Sequence, residues 1–169
     1  MIDDDLLLTF VREAISEFYI RDYHLIENQA HERSVVGRIF HYMETLLVPD
    51  SKYKDISHLN LDIEYNRNDK NQSNAKHTKD IDSIHTYPDT ILHSRGNNNH
   101  NTLVIEYKLS SNSSSDGNES DIRKLKGFTK QSGDYCYNLG LGIRLLEDSA
   151  VVDFYKNGEK VCQETWNFR

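Results

Sequence analysis

Two carboxylates and one ammonium group occur in the otherwise apolar and turn-forming stretch Y-P-D-T-I-L-H-S-R-G-N-N-N-H-N-T-L-V-I-E-Y-K-L-S, Tyr87 to Ser110. Its Gly- and Asn-rich middle, residues 94–101, predicts a turn between two short strands. Buried isolated charges cost free energy, so Glu106 and Lys108 on an apolar strand require an explanation. One is a divalent cation held by Asp89 and Glu106. The other is a Glu106–Lys108 ion pair without a metal, with the aspartate capping a strand start.

Side-chain alternation assigns these groups to faces of the two strands. Glu106 and Lys108 share a face of the second strand. Asp89 shares a face of the first strand with Ile91 and His93. Carboxylate oxygens are the hard ligands that Mg²⁺ prefers, and a Mg²⁺ site of this kind takes its remaining ligands from water and substrate phosphate. The pattern therefore predicts a site for phosphate chemistry.

Pro88-Asp89 followed by Glu106-x-Lys108 on the next strand resembles the signature of the PD-(D/E)xK phosphodiesterase superfamily, the restriction-endonuclease-like nucleases. The resemblance covers roughly residues 27 to 156. It implies an α+β, three-layer fold with a mixed central sheet flanked by helices. It also implies a Mg²⁺ ion, replaceable by Mn²⁺, held by Asp89, Glu106 and the Tyr107 carbonyl. Lys108 would then position or deprotonate the attacking water.

Two amphipathic helices are predicted before the strands, over Asp4 to Ile20 and over about Glu27 to Leu47. Glu32 lies at helical spacing from Val35, on the apolar face of the second helix. A carboxylate there pairs with an arginine or caps a local group, or it points into the site. The resemblance favours the site, because many members of the superfamily contribute a glutamate from a helix before the sheet. Glu32 would bind a second metal or a water of the first.

Alternation in L-N-L-D-I-E-Y-N-R, Leu59 to Arg67, predicts a half-buried strand. Asp62 and Glu64 either lie on the solvated face of this strand or are secondary candidates for the site. His93 is a third secondary candidate. The run D-x-E-Y-N-R resembles the first strand of small stand-alone bacterial members of the superfamily. Residues 68–83 are predicted to form a mobile polar insertion.

A low-complexity linker is predicted over residues 110–120, followed by a helix from Asp121 to Gln131 that is capped by Ser120 or Asp121 itself. The basic side chains of this helix either cover a solvated face or bind substrate phosphates; they are Arg123, Lys124, Lys126 and Lys130. Gln131 is a further substrate-binding candidate, because Gln131 and Tyr135 form a Q-x-x-x-Y spacing that resembles exonuclease-type branches.

The C-terminal part of the chain is predicted to form a meander. Tyr135 to Leu145 alternates large residues with small ones, so one face of this strand can seat a helix closely. Val151 to Lys156 is predicted to be a return strand, and Asn157-Gly158 predicts a tight hairpin into a last strand.

Bulk properties set the remaining expectations. A chain of 169 residues predicts one domain, residues 1–169. No apolar run approaches about 20 residues, which predicts a soluble, cytoplasmic protein without a membrane partner. The net charge of −7 opposes a nucleic-acid partner, but the segment 123–130 carries four basic residues and no acidic one.

These observations favour a Mg²⁺-dependent deoxyribonuclease, an endonuclease rather than an exonuclease, with a homodimer as a possible assembly. The alternative is a catalytically inactive module of the same fold that acts through a protein or nucleic-acid partner. RNA remains open as the substrate, because nothing in the sequence reads 2′-hydroxyl groups.

Overall fold

A computed structural model describes residues 2–67, 79–110 and 115–168. The elements in chain order are α1 Asp4–Arg21, α2 His24–Glu27, α3 Glu32–Leu46, β1 Asn60–Ile63, β2 Asp80–Ile81, β3 Ile84–His85, β4 Thr90–His93, β5 Leu103–Leu109, α4 Ser115–Thr129, β6 Leu139–Leu145, β7 Ser149–Lys156 and β8 Glu159–Asn167. No helix in these ranges is both long enough and apolar enough to cross a membrane.

Six strands form one mixed sheet in the order β1-β4-β5-β6-β7-β8, and β2 and β3 pair separately as a small hairpin. Strands β5 and β6 are parallel, and all other neighbours in the large sheet are antiparallel. Parallel neighbours need a crossover connection, and α4 provides it. The predicted α+β class with a mixed sheet is confirmed, as are the β4–β5 hairpin and the meander from β6 to β8.

The larger hydrophobic core lies between one face of the sheet and the pair α1 and α3. Leu103, Ile105 and Tyr107 project from β5 into this core and are completely buried. Their even spacing leaves the intervening residues of β5 on the opposite face, which includes Glu106 and Lys108. The central strand therefore carries apolar side chains on one face and charged groups on the other.

Helix α4 covers that opposite face and forms a second, smaller core. Leu125 and Phe128 of α4 pack with Ile91 and Val104 of the sheet. The helix lies close to β6 because a Cβ atom added at Gly140 would lie only 2.8 Å from Thr129 Cγ2. This confirms the prediction that the small-residue face of the strand seats a helix.

The predicted second helix has a different beginning in the structure. The helix was predicted to start at about Glu27, but Glu27 is the last residue of the short helix α2, and α3 starts only at Glu32. Between them Gln29 adopts a φ of 52°, a left-handed conformation that interrupts a right-handed helix. Glu32 therefore lies in the first turn of a helix rather than inside one.

Helix α4 begins at Ser115, within the predicted linker, so the expected cap at Ser120 or Asp121 is wrong. Ser, Asp and Asn have modest helix propensity, but extending an existing helix is far easier than nucleating one. Residues 79–83 also differ from the predicted mobile insertion, because they contain strand β2, which pairs with β3 just after them. The rest of the predicted mobile stretches, residues 68–78 and 111–114, lies outside the described residues.

Two predicted strands are shorter in the structure. Strand β1 ends at Ile63 because Glu64 adopts a φ of 48°. Strand β6 begins only at Leu139, after Cys136 with a φ of 52°. Residues with positive φ leave the extended region, so each marks a strand boundary that apolar alternation does not reveal. Asn157 and Gly158, with φ of 47° and 80°, form the predicted tight hairpin.

Candidate functional site

Asp89 and Glu106 lie side by side where β4 and β5 meet. Thr90 pairs with Ile105, so the next position along each strand brings Asp89 opposite Glu106. The Tyr107 backbone N–H donates to Asp89 Oδ2 at 2.7 Å, which fixes this carboxylate against the neighbouring strand. The hairpin thus brings together the two carboxylates that the sequence predicts as metal ligands.

Burial changes the protonation behaviour of both carboxyl groups. Glu106 is 2% exposed, and burial, reinforced by the nearby Asp89 charge, raises its pKa well above the usual range. Burial also raises the pKa of Asp89, although the Tyr107 hydrogen bond and the Lys124 charge oppose this shift. A cation at this point would favour the charged form of both groups.

Helix α4 supplies that positive charge through Lys124. Lys124 Nζ forms an ion pair with Glu106 Oε2 and lies 3.2 Å from Asp121 Oδ1, one helical turn earlier. Burial alone would lower the pKa of Lys124, but the Glu106 carboxylate outweighs that effect and the pKa is raised. The sequence predicted that Lys124 lies on a solvated helix face or binds phosphate, whereas in the structure it points toward the sheet and pairs with Glu106.

Asp121 joins the two lysines of the site. Its Oδ2 lies 3.0 Å from Lys108 Nζ, and its Oδ1 faces Lys124. The sequence reasoning considered Asp121 only as a helix cap and missed this role. The signal was present in the three-residue spacing between Asp121 and Lys124, which puts an acid and a base on the same helical face.

Glu32 reaches the same cluster from the opposite side of the sheet. Its Oε2 accepts a hydrogen bond from the Leu109 N–H at 3.3 Å, and its Oε1 lies 3.9 Å from Lys108 Nζ. Lys108 is thus held between Glu32 and Asp121. Burial by itself would lower the pKa of Lys108, but these carboxylates raise it overall.

A surface cleft of about 410 Å³ opens beside this cluster. Its lining residues are His31, Glu32, Arg33, Val36, Ile63, Glu64 and Asp89. The Glu64 carboxylate lies 3.1 Å from the Arg33 guanidinium, and the Glu64 N–H donates to the Asp89 carbonyl at 3.4 Å. Solvent and a ligand therefore have a route to Asp89, and Glu64 lies along it.

Asp62 of β1 and His93 of β4 form a separate cluster farther along these two paired strands. His93 Nε2 lies 2.9 Å from Asp62 Oδ2, and the Arg95 guanidinium also pairs with the Asp62 carboxylate. Burial alone would raise the pKa of Asp62, but Arg95 and His93 lower it overall. These two secondary candidates pair with each other and are not in the Asp89 cleft.

The other predicted substrate-binding residues contact protein groups or solvent. Arg123 donates to the Ile81 carbonyl at 2.7 Å, and Lys126 pairs with Glu159 at 3.0 Å. Gln131 donates its side-chain amide to the carbonyls of Thr129 and Tyr137. Lys130 is exposed.

The donor chemistry of the site suits a hard cation, although the present arrangement is not a preformed metal cage. Within residues 2–67, 79–110 and 115–168, no three His, Cys, Asp or Glu side chains are grouped so that they could hold a metal ion. Glu106 Oε1 is buried and has no hydrogen-bond partner in the described part of the chain. Together with Asp89 it offers the one or two carboxylates that a Mg²⁺ ion needs when water and phosphate complete its shell.

Comparisons with family models, curated proteins and solved structures found no match.

Proposed function

We propose that this chain is a metal-dependent nuclease of restriction-endonuclease-like fold that hydrolyses phosphodiester bonds of DNA. The observation that carries the proposal is the Asp89–Glu106 pair on adjacent strands beside Lys108, with Glu106 buried and Asp89 lining a cleft. Buried, close carboxylates are costly unless a function or a cation justifies them. The mixed sheet with helices on both faces supports the fold.

Asp89 and Glu106 would hold Mg²⁺ or Mn²⁺, with the Tyr107 carbonyl as a further ligand by resemblance. Such an ion, when bound, offsets negative charge on the reacting phosphate and acidifies water. Lys108 lies 3.0 Å from Asp121 and 3.9 Å from Glu32, so two carboxylates hold its ammonium beside the pair. Its charge stabilises the developing phosphate charge, and Glu32 orients water on the cleft side.

The test measures cleavage of supercoiled plasmid DNA by the full chain with Mn²⁺ or Mg²⁺. Asp89→Ala and Lys108→Ala are expected to abolish cleavage while the circular dichroism spectrum stays that of the wild type. Lys156→Ala is the matched control, because Lys156 pairs with Asp4 instead of with the cluster and keeps full cleavage. Activity that survives both site substitutions would refute the proposal.

The second candidate is an inactive module of the same fold, and specific contacts favour it. Lys124 already neutralises Glu106, and both Arg123 and Lys126 of α4 are engaged by protein groups. Fewer positively charged side chains then remain to contact DNA phosphates, which is consistent with the net charge of −7. If Mn²⁺ neither binds nor raises the melting temperature, and DNA stays intact, this candidate is the correct one.

A further inference from the structure

The ammonium group of Lys124 has the surroundings of a bound cation. It pairs with Glu106 Oε2, lies 3.2 Å from Asp121 Oδ1 and 3.4 Å from the Tyr87 carbonyl oxygen. All three neighbours are oxygens, and two belong to carboxylates. The side chain is only 15% exposed, so solvent screens these contacts weakly.

Glu106 is only half satisfied by this contact. Its Oε2 faces Lys124, whereas its Oε1 is buried and has no hydrogen-bond partner among the described residues. Asp89, beside it, contributes a second negative charge that raises the pKa of Glu106. The Lys124 ammonium is therefore shared among Glu106, Asp121 and the charge of Asp89, and Glu106 Oε1 remains available as a ligand atom.

We propose that Lys124 is an internal competitor for the divalent cation, an inference that rests on the proposed nuclease function. In the metal-free protein its ammonium neutralises Glu106, and a metal that binds Glu106 would displace this charge. Asp121 lies on the same face of α4 as Lys124 and contacts it independently of Glu106. Asp121 is thus a positioning residue that keeps the displaced ammonium nearby.

This role differs measurably from that of a fixed structural counterion. A competitor lowers the apparent metal affinity, because part of the binding free energy is used to displace it. A structural counterion instead supports the carboxylates that bind the metal, so its loss leaves metal affinity unchanged or weaker. Removing the Lys124 charge therefore tightens metal binding if Lys124 is a competitor and does not tighten it if Lys124 is a structural counterion.

The experiment is calorimetric titration of Mn²⁺ into the full-length metal-free chain at pH 7.5. Lys124→Met removes the charge, and Lys124→Gln removes it but keeps a hydrogen-bond donor for Glu106. Both variants are expected to bind Mn²⁺ about tenfold more tightly than the wild type. Lys126→Met removes the same charge from the same helix, away from Glu106, and is expected to bind Mn²⁺ like the wild type.

Melting temperature provides a second readout that does not depend on activity. In EDTA the Lys124 variants are expected to melt below the wild type, because Glu106 loses its counterion. Saturating Mn²⁺ should raise their melting temperature more than that of the wild type, since tighter binding to the folded state stabilises it more. If Lys124→Met does not fold, the test uses Lys124→Gln and the rise in its melting temperature when Mn²⁺ is added.

The outcomes separate this inference from the proposed function. Equal or weaker Mn²⁺ binding by both Lys124 variants overturns the competitor role, and the nuclease proposal survives if wild-type chain cleaves DNA. Absence of Mn²⁺ binding in the wild type and in both variants overturns both proposals. Tighter binding in both variants, with the Lys126→Met control unchanged, supports the competitor.

Discussion

Asp89 is anchored to the neighbouring strand by the backbone of Tyr107, whose N–H donates to Asp89 Oδ2 at 2.7 Å. The carboxylate lies just before β4, so this bond determines where it points. The position of the predicted metal ligand thus depends on one main-chain hydrogen bond.

Replacing Asp89 should therefore separate stability from catalysis. Asp89→Asn keeps an acceptor for Tyr107 and removes a buried charge. Because burial raises the pKa of Asp89, the ionised form is disfavoured in the folded state, so at neutral pH the amide should be as stable as the wild type or more stable. Asp89→Ala loses the acceptor and should cost about 1–3 kcal/mol of unfolding free energy.

Urea denaturation and plasmid cleavage check this prediction together. Both Asp89 variants should lack cleavage under the proposed function, while only the alanine variant loses stability. Equal stability of the two variants would show that the Tyr107 hydrogen bond does not anchor Asp89.

Gly140→Ala should destabilise the protein, because its Cβ would lie 2.8 Å from Thr129 Cγ2 and 3.2 Å from Tyr155 Cβ. Such overpacking typically costs about 1–3 kcal/mol. It should also push α4 away from the sheet and disturb the Lys124–Glu106 contact. Gly37→Ala is the matched control: its Cβ meets nothing within 4 Å, and alanine in a helix should stabilise by up to about 1 kcal/mol. Thermal denaturation measures both, and opposite signs are expected.

Asp62 gives a pH-dependent prediction. Its pKa is lowered overall from 3.8 by Arg95 and His93, despite the opposing effect of burial. A lowered folded-state pKa contributes stability that is present above pH 3.8 and is lost as the pH falls through the folded-state value. Asp62→Asn should therefore lower the free energy of unfolding by about 1–3 kcal/mol at pH 7. This loss of stability relative to the wild type should become smaller below pH 3.8.

Denaturant unfolding measured from pH 7 down to pH 3 is the appropriate experiment. A difference that stays constant over that interval would contradict the ion-pair explanation. DNA cleavage at pH 7 should persist in this variant, because Asp62 pairs with His93 and Arg95 outside the Asp89 cleft.

Lys79 should contribute to stability through the rings that surround it. The side chain is 1% exposed, its Nζ donates to the Tyr137 hydroxyl at 3.0 Å, and it lies 5.1 Å from the Tyr65 ring centroid. Lys79→Ala leaves a cavity between these rings and should lower the free energy of unfolding by about 2–5 kcal/mol. Lys79→Met keeps most of the side-chain volume, so its loss of unfolding free energy should be smaller and should come mainly from the lost cation–π attraction. A methionine variant as unstable as the alanine variant in urea would contradict this order.

Local features of the sequence predicted much of the fold. The period of two in β4 and β5 and the Gly/Asn turn between them correctly assigned Glu106 and Lys108 to the face opposite Tyr107. Glycine placement in β6 correctly indicated a closely packed helix. Both succeed because strand faces and close helix–sheet approach follow from residue type and spacing over a few positions.

Boundaries were less predictable. Glu64 and Cys136 end or delay strands through positive φ values, and nothing about these residue types requires that conformation. The early start of α4 at Ser115 was also not predicted, because weak helix formers can extend a helix that is already present.

The sequence by itself determined which strands pair around the turn and which residues of those strands share a face, because these depend on nearby positions. Only the tertiary structure decided that Lys124 and Asp121 join Glu106 and Lys108, and that Glu32 reaches the Leu109 N–H. These contacts join helices on opposite faces of the sheet to one strand. Their geometry depends on how each helix packs, which residue spacing along the chain does not encode.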